Sequence, residues 1–198
     1  MKLLQISSSP HIREDVSSSS IMRDVVIAML PTAIYGSLQW GFHAFFVVVL
    51  TTLAAVLTEL VYQKAMKLPV TINDWSAAVT GMILALNCPP DIPFWIPIVG
   101  SIFAIIVVKQ LYGGLGQNFM NPALAARCFM LISFAGAMTN FSSTALKFDS
   151  TSTPTPLGFL RANGIEKALD QYKLLNIFLG RIPGTIGEVS TMALLIGA

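Results

Sequence analysis

The sequence contains little charge for its length. Only 11% of its 198 residues are Asp, Glu, Lys or Arg, whereas soluble domains carry about 25%. Hydrophobic residues make up 54% of the chain, and the mean hydropathy is +0.69. This composition excludes an ordinary soluble domain and indicates an all-α integral membrane protein, because helices satisfy their own backbone hydrogen bonds in a bilayer.

Cysteine is scarce, and the basic residues are not concentrated anywhere. Cys88 and Cys128 form no CxxC motif, and an iron–sulfur cluster usually needs four thiolates, so we expect both to pack as small apolar residues. The 12 basic and 10 acidic side chains are spread along the chain, which argues against nucleic-acid binding. No pattern in the sequence is typical of a catalytic triad or a metal site, so neither is predicted.

The N-terminal arm, residues 1–22, is polar and rich in serine. A secretory signal peptide would place one apolar core directly after its basic end, followed by a small-residue cleavage site. The segment "MKLLQISSSPHIREDVSSSS" does not have this order. Because Lys2, Arg13 and Arg23 precede or begin the first apolar run, the positive-inside rule places the arm in the cytoplasm.

Residues 23–141 are predicted to form a transmembrane helix bundle. A spanning helix needs about 20 mostly apolar residues. The candidate segments are Val25–Phe42, Ala44–Tyr62, Phe94–Val108 and Pro122–Phe141. Glu59 lies near the end of the second segment, where we expect its carboxylate to reach the membrane interface. A polytopic helix bundle is therefore the predicted fold.

A shorter apolar segment, Trp75–Asn87, is predicted to be a half-helix. The sequence "CPPDIP" follows it, and prolines cannot continue a helix because they lack the backbone donor. An interrupted helix at membrane depth needs protein around its free backbone groups, and such segments often mark binding sites.

The segment 112–121 is a glycine-rich loop, which we expect to approach the half-helix within the membrane. Asn121 suits an N-cap and Pro122 a first helical turn. Free N–H groups at a helix start favour a polar or anionic ligand, and glycine lets a flat ring approach the backbone. The alternative is a loop that serves packing alone. The residues predicted to line a site are Gly113, Gly114, Gly116, Asn118 and Asn121. Arg127 follows in the helix, as a functional or a paired structural arginine.

Segment 142–173 is polar and is predicted to be an extramembrane loop, after which the apolar chain resumes at 174–198. The sequence "VTGMIL" at Val79–Leu84 is echoed by "VSTMAL" at Val189–Leu194. This echo suggests a two-fold internal repeat in which each half contains a broken helix. In that interpretation the chain holds the first half and the start of the second, so we expect it to be truncated.

Three motifs resemble a known family. They are "SSPHIR", "LALNCPPDIPFWIPIVGSIFAIIVVKQLYGGLGQNFMNPALAARCF" and "PGTIGEVSTMALLIG", which together extend over nearly the whole chain. The sequence resembles the D subunits of Rnf complexes, which are ion-translocating ferredoxin:NAD oxidoreductases. It is also similar to the related B subunits of sodium-pumping NADH:quinone oxidoreductases, although the arm and "QNFMNPALAARCF" favour the Rnf members.

The resemblance implies a covalent FMN in the hydroxyl-rich stretch "DSTSTPTPLG". In this family a loop threonine bears FMN through a phosphoester, in a pattern of an aspartate, two residues and then Ser/Thr-Gly-Ala-Thr. Asp149, Ser152 and Thr155 occupy the aspartate, hydroxyl and acceptor positions here. The chain departs from the pattern at Thr153-Pro154, where Gly-Ala is usual, so Ser152 and Thr153 are rival acceptors. A solvated Ser/Thr/Pro linker is the alternative that composition alone favours.

The resemblance also implies a function and partners. The chain is expected to be an electron-transfer subunit of a complex that pumps Na⁺ or H⁺ across a bacterial cytoplasmic (inner) membrane. A second, non-covalent flavin such as riboflavin is expected in the membrane part. The implied partners are membrane lipid and other membrane and peripheral subunits, among them a second flavin-bearing one. The alternatives are a transport channel without a redox role and a structural anchor for redox partners.

Crossings counted from the cytoplasmic arm place segment 142–173 on the outer face of the membrane. Cysteines introduced as Ser143→Cys and Asn163→Cys are therefore expected to react with a membrane-impermeant thiol reagent in intact cells. Labelling only after the cells are lysed would reverse this topology. Four basic residues in the segment favour the opposite side, although long loops follow the charge rule less strictly: Lys147, Arg161, Lys167 and Lys173.

Overall fold

The computed structural model shows a helical membrane protein. It describes residues 17–141, 156–165, 174–180, 182–188 and 190–198. The regular elements within these residues are helices. Those long and apolar enough to cross a membrane are Ser18–Trp40, Phe42–Ala65 and Trp95–Tyr112. Large apolar side chains cover the outward faces of these helices, as a lipid-facing surface requires. The predicted all-α polytopic bundle is confirmed.

The first two helices pack against each other and are joined by a single glycine. Helix α1 is Ser18–Trp40 and helix α2 is Phe42–Ala65. Gly41 between them has φ +83°, a left-handed value that favours glycine, and its N–H donates to the Ser37 carbonyl. Helix α1 begins inside the predicted polar arm because the Ser17 side chain caps it, accepting from the Ser20 N–H.

The half-helix predicted at Trp75–Asn87 is present as helix α3, Ser76–Leu86. A helix of 11 residues is about 16 Å long, whereas the hydrocarbon core is about 30 Å thick. The chain then leaves helical geometry through the proline-rich stretch and re-enters it at helix α4, Trp95–Phe103. Helix α3 therefore ends within the membrane-spanning layer of the bundle.

The interruption after α3 is covered by protein. The Ile186 N–H donates to the Cys88 carbonyl at 3.0 Å, and the Gly187 N–H donates to the Leu86 carbonyl at 2.8 Å. His43, at the start of α2, bonds the Pro90 carbonyl through Nδ1 at 2.7 Å. These partners replace the intrahelical bonds that the proline-rich stretch cannot make, which is the condition for a broken helix at membrane depth.

The third span changes its helical geometry along its length. After α4, residues Ala104–Lys109 form a π-helical segment and Gln110–Tyr112 a 3₁₀ turn. π-helical segments are rare in proteins, and those that occur are often found at functional sites. The span ends at Gly113, whose φ of +110° begins the glycine-rich loop.

The helix predicted at Pro122–Phe141 is shorter than expected. Helix α5 is Pro122–Ser133, and after Phe134 a short helix α6 covers Ala135–Met138. Phe134 leaves helical geometry with φ −132° and ψ 44°. Its ring packs edge-on against Trp95, with the centroids 5.0 Å apart. The prediction of one continuous helix is wrong because this aromatic contact draws Phe134 towards α4.

Three short helices lie wholly within the described residues of the C-terminal part. They are α7, Pro156–Asn163, α8, Leu174–Leu179, and α9, Thr191–Gly197. The Tyr35 hydroxyl of α1 donates to the Leu179 carbonyl, which fastens the end of α8 to the bundle. Helix α9 also packs on α1. Helix α7 lies inside the segment predicted to be a loop, and the internal repeat stays a prediction.

Close packing of α3 on α2 depends on Gly81. A Cβ at this position would lie 2.7 Å from the Thr52 Cα and 2.9 Å from the Ala55 Cβ. We expect Gly81→Ala to destabilise the detergent-solubilised protein by about 1–3 kcal/mol, because backbone must move to admit the methyl group. Thermal unfolding measures this. The matched control is Gly136→Ala, where a Cβ meets nothing within 4 Å. A Gly81→Ala midpoint at or above that of the wild type would contradict the close approach.

Candidate functional site

The glycine-rich loop has the backbone that its sequence predicts. Gly113, Gly114 and Gly116 have φ values of +110°, +94° and +86°, which are left-handed and favour glycine. Asn121 caps helix α5 as predicted, because its side-chain oxygen accepts from the Ala123 N–H at 3.0 Å and from the next N–H at 3.3 Å. The loop therefore ends at an ordered helix start.

A cavity of about 340 Å³ lies where the half-helix and this loop meet. Its lining residues are Met22, Ser76, Val79, Thr80, Ile83, Lys109, Leu115, Asn118, Asn121 and Pro122. Two of the predicted site residues, Asn118 and Asn121, thus face the same cavity as helix α3. The half-helix and the loop therefore meet at this cavity, as expected, whereas their position within the membrane stays a prediction. The three loop glycines, which were also predicted to line the site, are not among the residues that line this cavity.

A buried ion pair stands at one wall of this cavity. Lys109 Nζ lies 2.7 Å from Glu59 Oε1, and the two side chains are 3% and 1% exposed. The expectation that Glu59 reaches the membrane interface is wrong. The carboxylate instead turns inward, because the third span brings the Lys109 ammonium against α2 at this level.

Polar side chains surround the pair. Glu59 Oε1 also accepts from Gln110 Nε2 at 2.6 Å and from Gln63 Nε2 at 3.3 Å. Lys109 Nζ donates a second hydrogen bond to Ser76 Oγ at 2.6 Å. Glu59 Oε2 is buried and has no partner among the described residues. We call Glu59, Lys109, Ser76, Gln63 and Gln110 the buried cluster.

The buried cluster connects to a second carboxylate. Asp74 Oδ1 accepts from the Ser76 N–H at 2.9 Å and from Ser76 Oγ at 2.5 Å. Ionisable groups inside a membrane protein are costly and are functional candidates by default. Glu59 and Lys109 are single charges at the ends of apolar runs, and sequence reasoning treated them as markers of the membrane edge. The sequence signal that could have identified them is that the two residues carry opposite charges and belong to two consecutive spans.

Arg127 has a structural partner. Its Nη1 donates to Asn87 Oδ1 at 2.8 Å, which ties α5 to the end of the half-helix. Of the cysteines, Cys88 is buried, as expected, whereas Cys128 is exposed on the outward face of α5. The predicted flavin-loop residues Asp149, Ser152 and Thr155 lie outside the described residues.

Comparison with known proteins assigns the chain to a family. A model of the family described as "NQR2, RnfD, RnfE" matches residues 5–198. The chain belongs to this family. It is 48% identical over 197 residues to the D subunit of the Na⁺-translocating ferredoxin:NAD⁺ oxidoreductase complex of Acetobacterium woodii, a match that covers 98% of the chain and 60% of that relative. The resemblance drawn from the motifs is confirmed.

Two further family members show how far the likeness extends. The D subunit of the proton-translocating ferredoxin:NAD⁺ oxidoreductase complex of Clostridium ljungdahlii is 42% identical over 203 residues, which is 98% of the chain and 61% of that relative. The D subunit of the ion-translocating oxidoreductase complex of Shewanella denitrificans is 40% identical over 139 residues, which is 69% of the chain and 40% of that relative. The chain spans about three fifths of the length of the first two family members.

Breaking the buried pair is expected to destabilise the protein. Lys109→Gln and Glu59→Gln each leave one buried charge without its partner, at a cost of about 3–5 kcal/mol. The double variant removes both charges, so it is expected to lose less than the sum of the two. Unfolding of the detergent-solubilised variants measures the difference.

The matched control is the exposed pair of Arg23 and Asp24, which are 3.4 Å apart with side chains 56% and 65% exposed. Arg23→Gln is expected to cost at most about 1 kcal/mol. Additive losses in the double variant Glu59→Gln/Lys109→Gln would contradict the coupling of the buried pair.

Proposed function

We propose that the chain is a membrane electron-transfer part of an ion-translocating ferredoxin:NAD oxidoreductase complex. The observation that carries this proposal is the identity of 48% and 42%, over nearly the whole chain, to the D subunits of two such complexes. One of these relatives is named for Na⁺ translocation and the other for proton translocation. A buried ion pair inside the bundle supports a role in charge movement beyond that of a structural anchor.

The covalent cofactor proposed for this chain is FMN on the Thr155 hydroxyl. The support is the family pattern in which Asp149 and Ser152 precede the acceptor. A phosphoester at this position leaves the flavin ring free and prevents its loss from the complex.

The cavity beside the buried cluster is the proposed site of a second, non-covalent flavin such as riboflavin. Its volume of about 340 Å³ falls within the range of about 300–1,000 Å³ found for small-molecule sites. Apolar walls with a few polar groups are the usual lining of such a site. The side chains that would hold the ring edge are Ser76, Lys109, Asn118 and Asn121, between the apolar Val79, Ile83 and Leu115.

The residues around this cavity determine which kind of ligand it favours. A bound flavin supplies one- and two-electron transfer. The Lys109 ammonium presents positive charge at the wall, which favours an occupant that carries or gains negative charge. Asn118 donates to the Met120 carbonyl at 2.8 Å, which fixes the loop backbone at the cavity rim. Water is excluded on the side of the buried cluster, where Glu59 and Lys109 are nearly inaccessible.

The proposed setting is a bacterial cytoplasmic membrane, with the flavin-bearing segment 142–173 on its outer face. The proposed partners are the other membrane and peripheral subunits of the complex, including a second flavin-bearing one. A transport channel is the second candidate function, and the interrupted helix α3 is the observation that favours it. Flavin content separates the two, since a channel needs no bound chromophore.

Thr155→Ala is expected to abolish covalent flavin and leave membrane insertion intact. The change removes one oxygen and one methyl group from a segment predicted to be a loop, where substitutions usually shift stability by at most about 0.5 kcal/mol. Mass spectrometry of the peptide Lys147–Arg161 from a host with the flavin transferase measures the adduct. The matched control is Thr151→Ala, which removes a neighbouring hydroxyl and is expected to keep the flavin.

Two results of the same mass-spectrometric measurement would contradict the proposal. An FMN adduct on Ser152 or Thr153 would refute Thr155 as the acceptor. An unmodified peptide from the complete complex would refute the covalent flavin altogether, and would then favour the channel.

A further inference from the structure

We infer that Glu59 takes up a proton when negative charge enters the cavity beside Lys109, so that the buried cluster couples electron arrival to proton uptake. This inference rests on the proposed function, because it needs an electron-accepting flavin in the cavity. It goes further by assigning the charge-compensating group to a residue of this chain.

The first observation is the incomplete bonding of the Glu59 carboxylate. Oε1 accepts from Lys109, Gln110 and Gln63, whereas Oε2 is buried without a partner among the described residues. Buried carboxylate oxygens normally have hydrogen-bond partners, so an orphaned one needs an explanation. Oε2 is the position at which an added proton would remove charge without breaking any of the three existing bonds.

The second observation is that Lys109 is shared between Glu59 and the cavity. Its ammonium has three N–H donors, and two of them bond Glu59 Oε1 and Ser76 Oγ. Lys109 and Ser76 both line the cavity. A negative charge in the cavity therefore competes with Glu59 for the same ammonium. Deep burial makes this competition strong, because little solvent screens it.

The charges balance in a simple way. One electron delivered into the cavity by a one-electron reductant adds one negative charge. Lys109 keeps its three protons and directs its charge to the cavity, and one proton from solvent binds Glu59 Oε2. The buried region then returns to its original net charge, which avoids an uncompensated charge in a medium of low polarity.

Other charged groups on the surrounding elements are placed differently. Asp74 contacts the cluster through Ser76 and is half-buried, so it is the rival proton acceptor. Arg23 and Asp24 on α1 pair with each other at the surface. Helices α3 and α4 contain no charged residue within their bounds. The remaining titratable groups on α1, α2 and the third span are Tyr35, His43, Tyr62, Lys64 and Tyr112.

Redox-difference infrared spectroscopy on the purified complex tests the inference. Reduction with dithionite is expected to produce the carbonyl stretch of a protonated carboxyl group, which shifts in D₂O. The band is expected to disappear in Glu59→Gln and to persist in Asp74→Asn, the matched control at the rival acceptor. A band that persists in Glu59→Gln, or is lost only in Asp74→Asn, would overturn the assignment.

Two further measurements keep the test decisive if Glu59→Gln does not assemble. In the wild-type complex, labelling glutamate with ¹³C at its carboxyl group is expected to shift the band, whereas the same labelling of aspartate is expected to leave it in place. The reverse result would overturn the inference. In Lys109→Gln, the ammonium that Glu59 and the cavity share is absent, so charge in the cavity no longer acts on Glu59 through it and the redox-induced band is expected to be lost. A Lys109→Gln complex with an unchanged band would contradict the shared ammonium.

Flavin content separates this inference from the function on which it rests. The non-covalent flavin extracted from the denatured wild-type complex is expected to include one molecule that was bound in the cavity. The Asn118→Leu variant is expected to yield less of this flavin. A retained flavin without any carboxyl band would overturn the proton coupling alone. A wild-type complex without that flavin would overturn the cavity assignment and the coupling together.

Discussion

Hydrocarbon offers no hydrogen-bond partners, and the interruption of α3 is where this constraint shapes the structure most. The free carbonyls of Leu86 and Cys88 are satisfied by N–H groups of residues 186 and 187. A Cβ on Gly187 would lie 2.8 Å from the Leu86 Cβ, so the two segments approach as closely as glycine allows. The C-terminal part is thereby held against the half-helix, and α9 packs on α1.

The same constraint acts on charged side chains. An isolated ammonium or carboxylate inside the bundle would be very costly, so Lys109 and Glu59 are found together with amide and hydroxyl groups around them. The half-helix matters here because it begins, rather than continues, at this level. Its first residue, Ser76, can turn its hydroxyl towards Lys109, and its next turns form a wall of the cavity. The break and the buried cluster are thus parts of one arrangement.

Much of the fold follows from local sequence signals. The two long apolar helices, the half-helix ended by prolines, and the Asn121 cap with Pro122 were all predictable, because each depends on residues adjacent in the chain. The end of α5 was not predictable in this way. Phe134 leaves the helix where it meets Trp95, about forty residues earlier in the sequence, and no local pattern reports that contact.

The sequence by itself determined that this is a membrane helix bundle of the NQR2, RnfD and RnfE family, with a glycine-rich loop beside a broken helix. Those features depend on hydropathy, on prolines and on motifs. Only the tertiary structure decided that Glu59 turns inward to Lys109 and that Asn118 and Asn121 share a cavity with this pair. Hydropathy counts a charge near the end of an apolar run as a boundary. Whether that charge meets solvent or a partner depends on the neighbouring helix, which the local sequence does not contain.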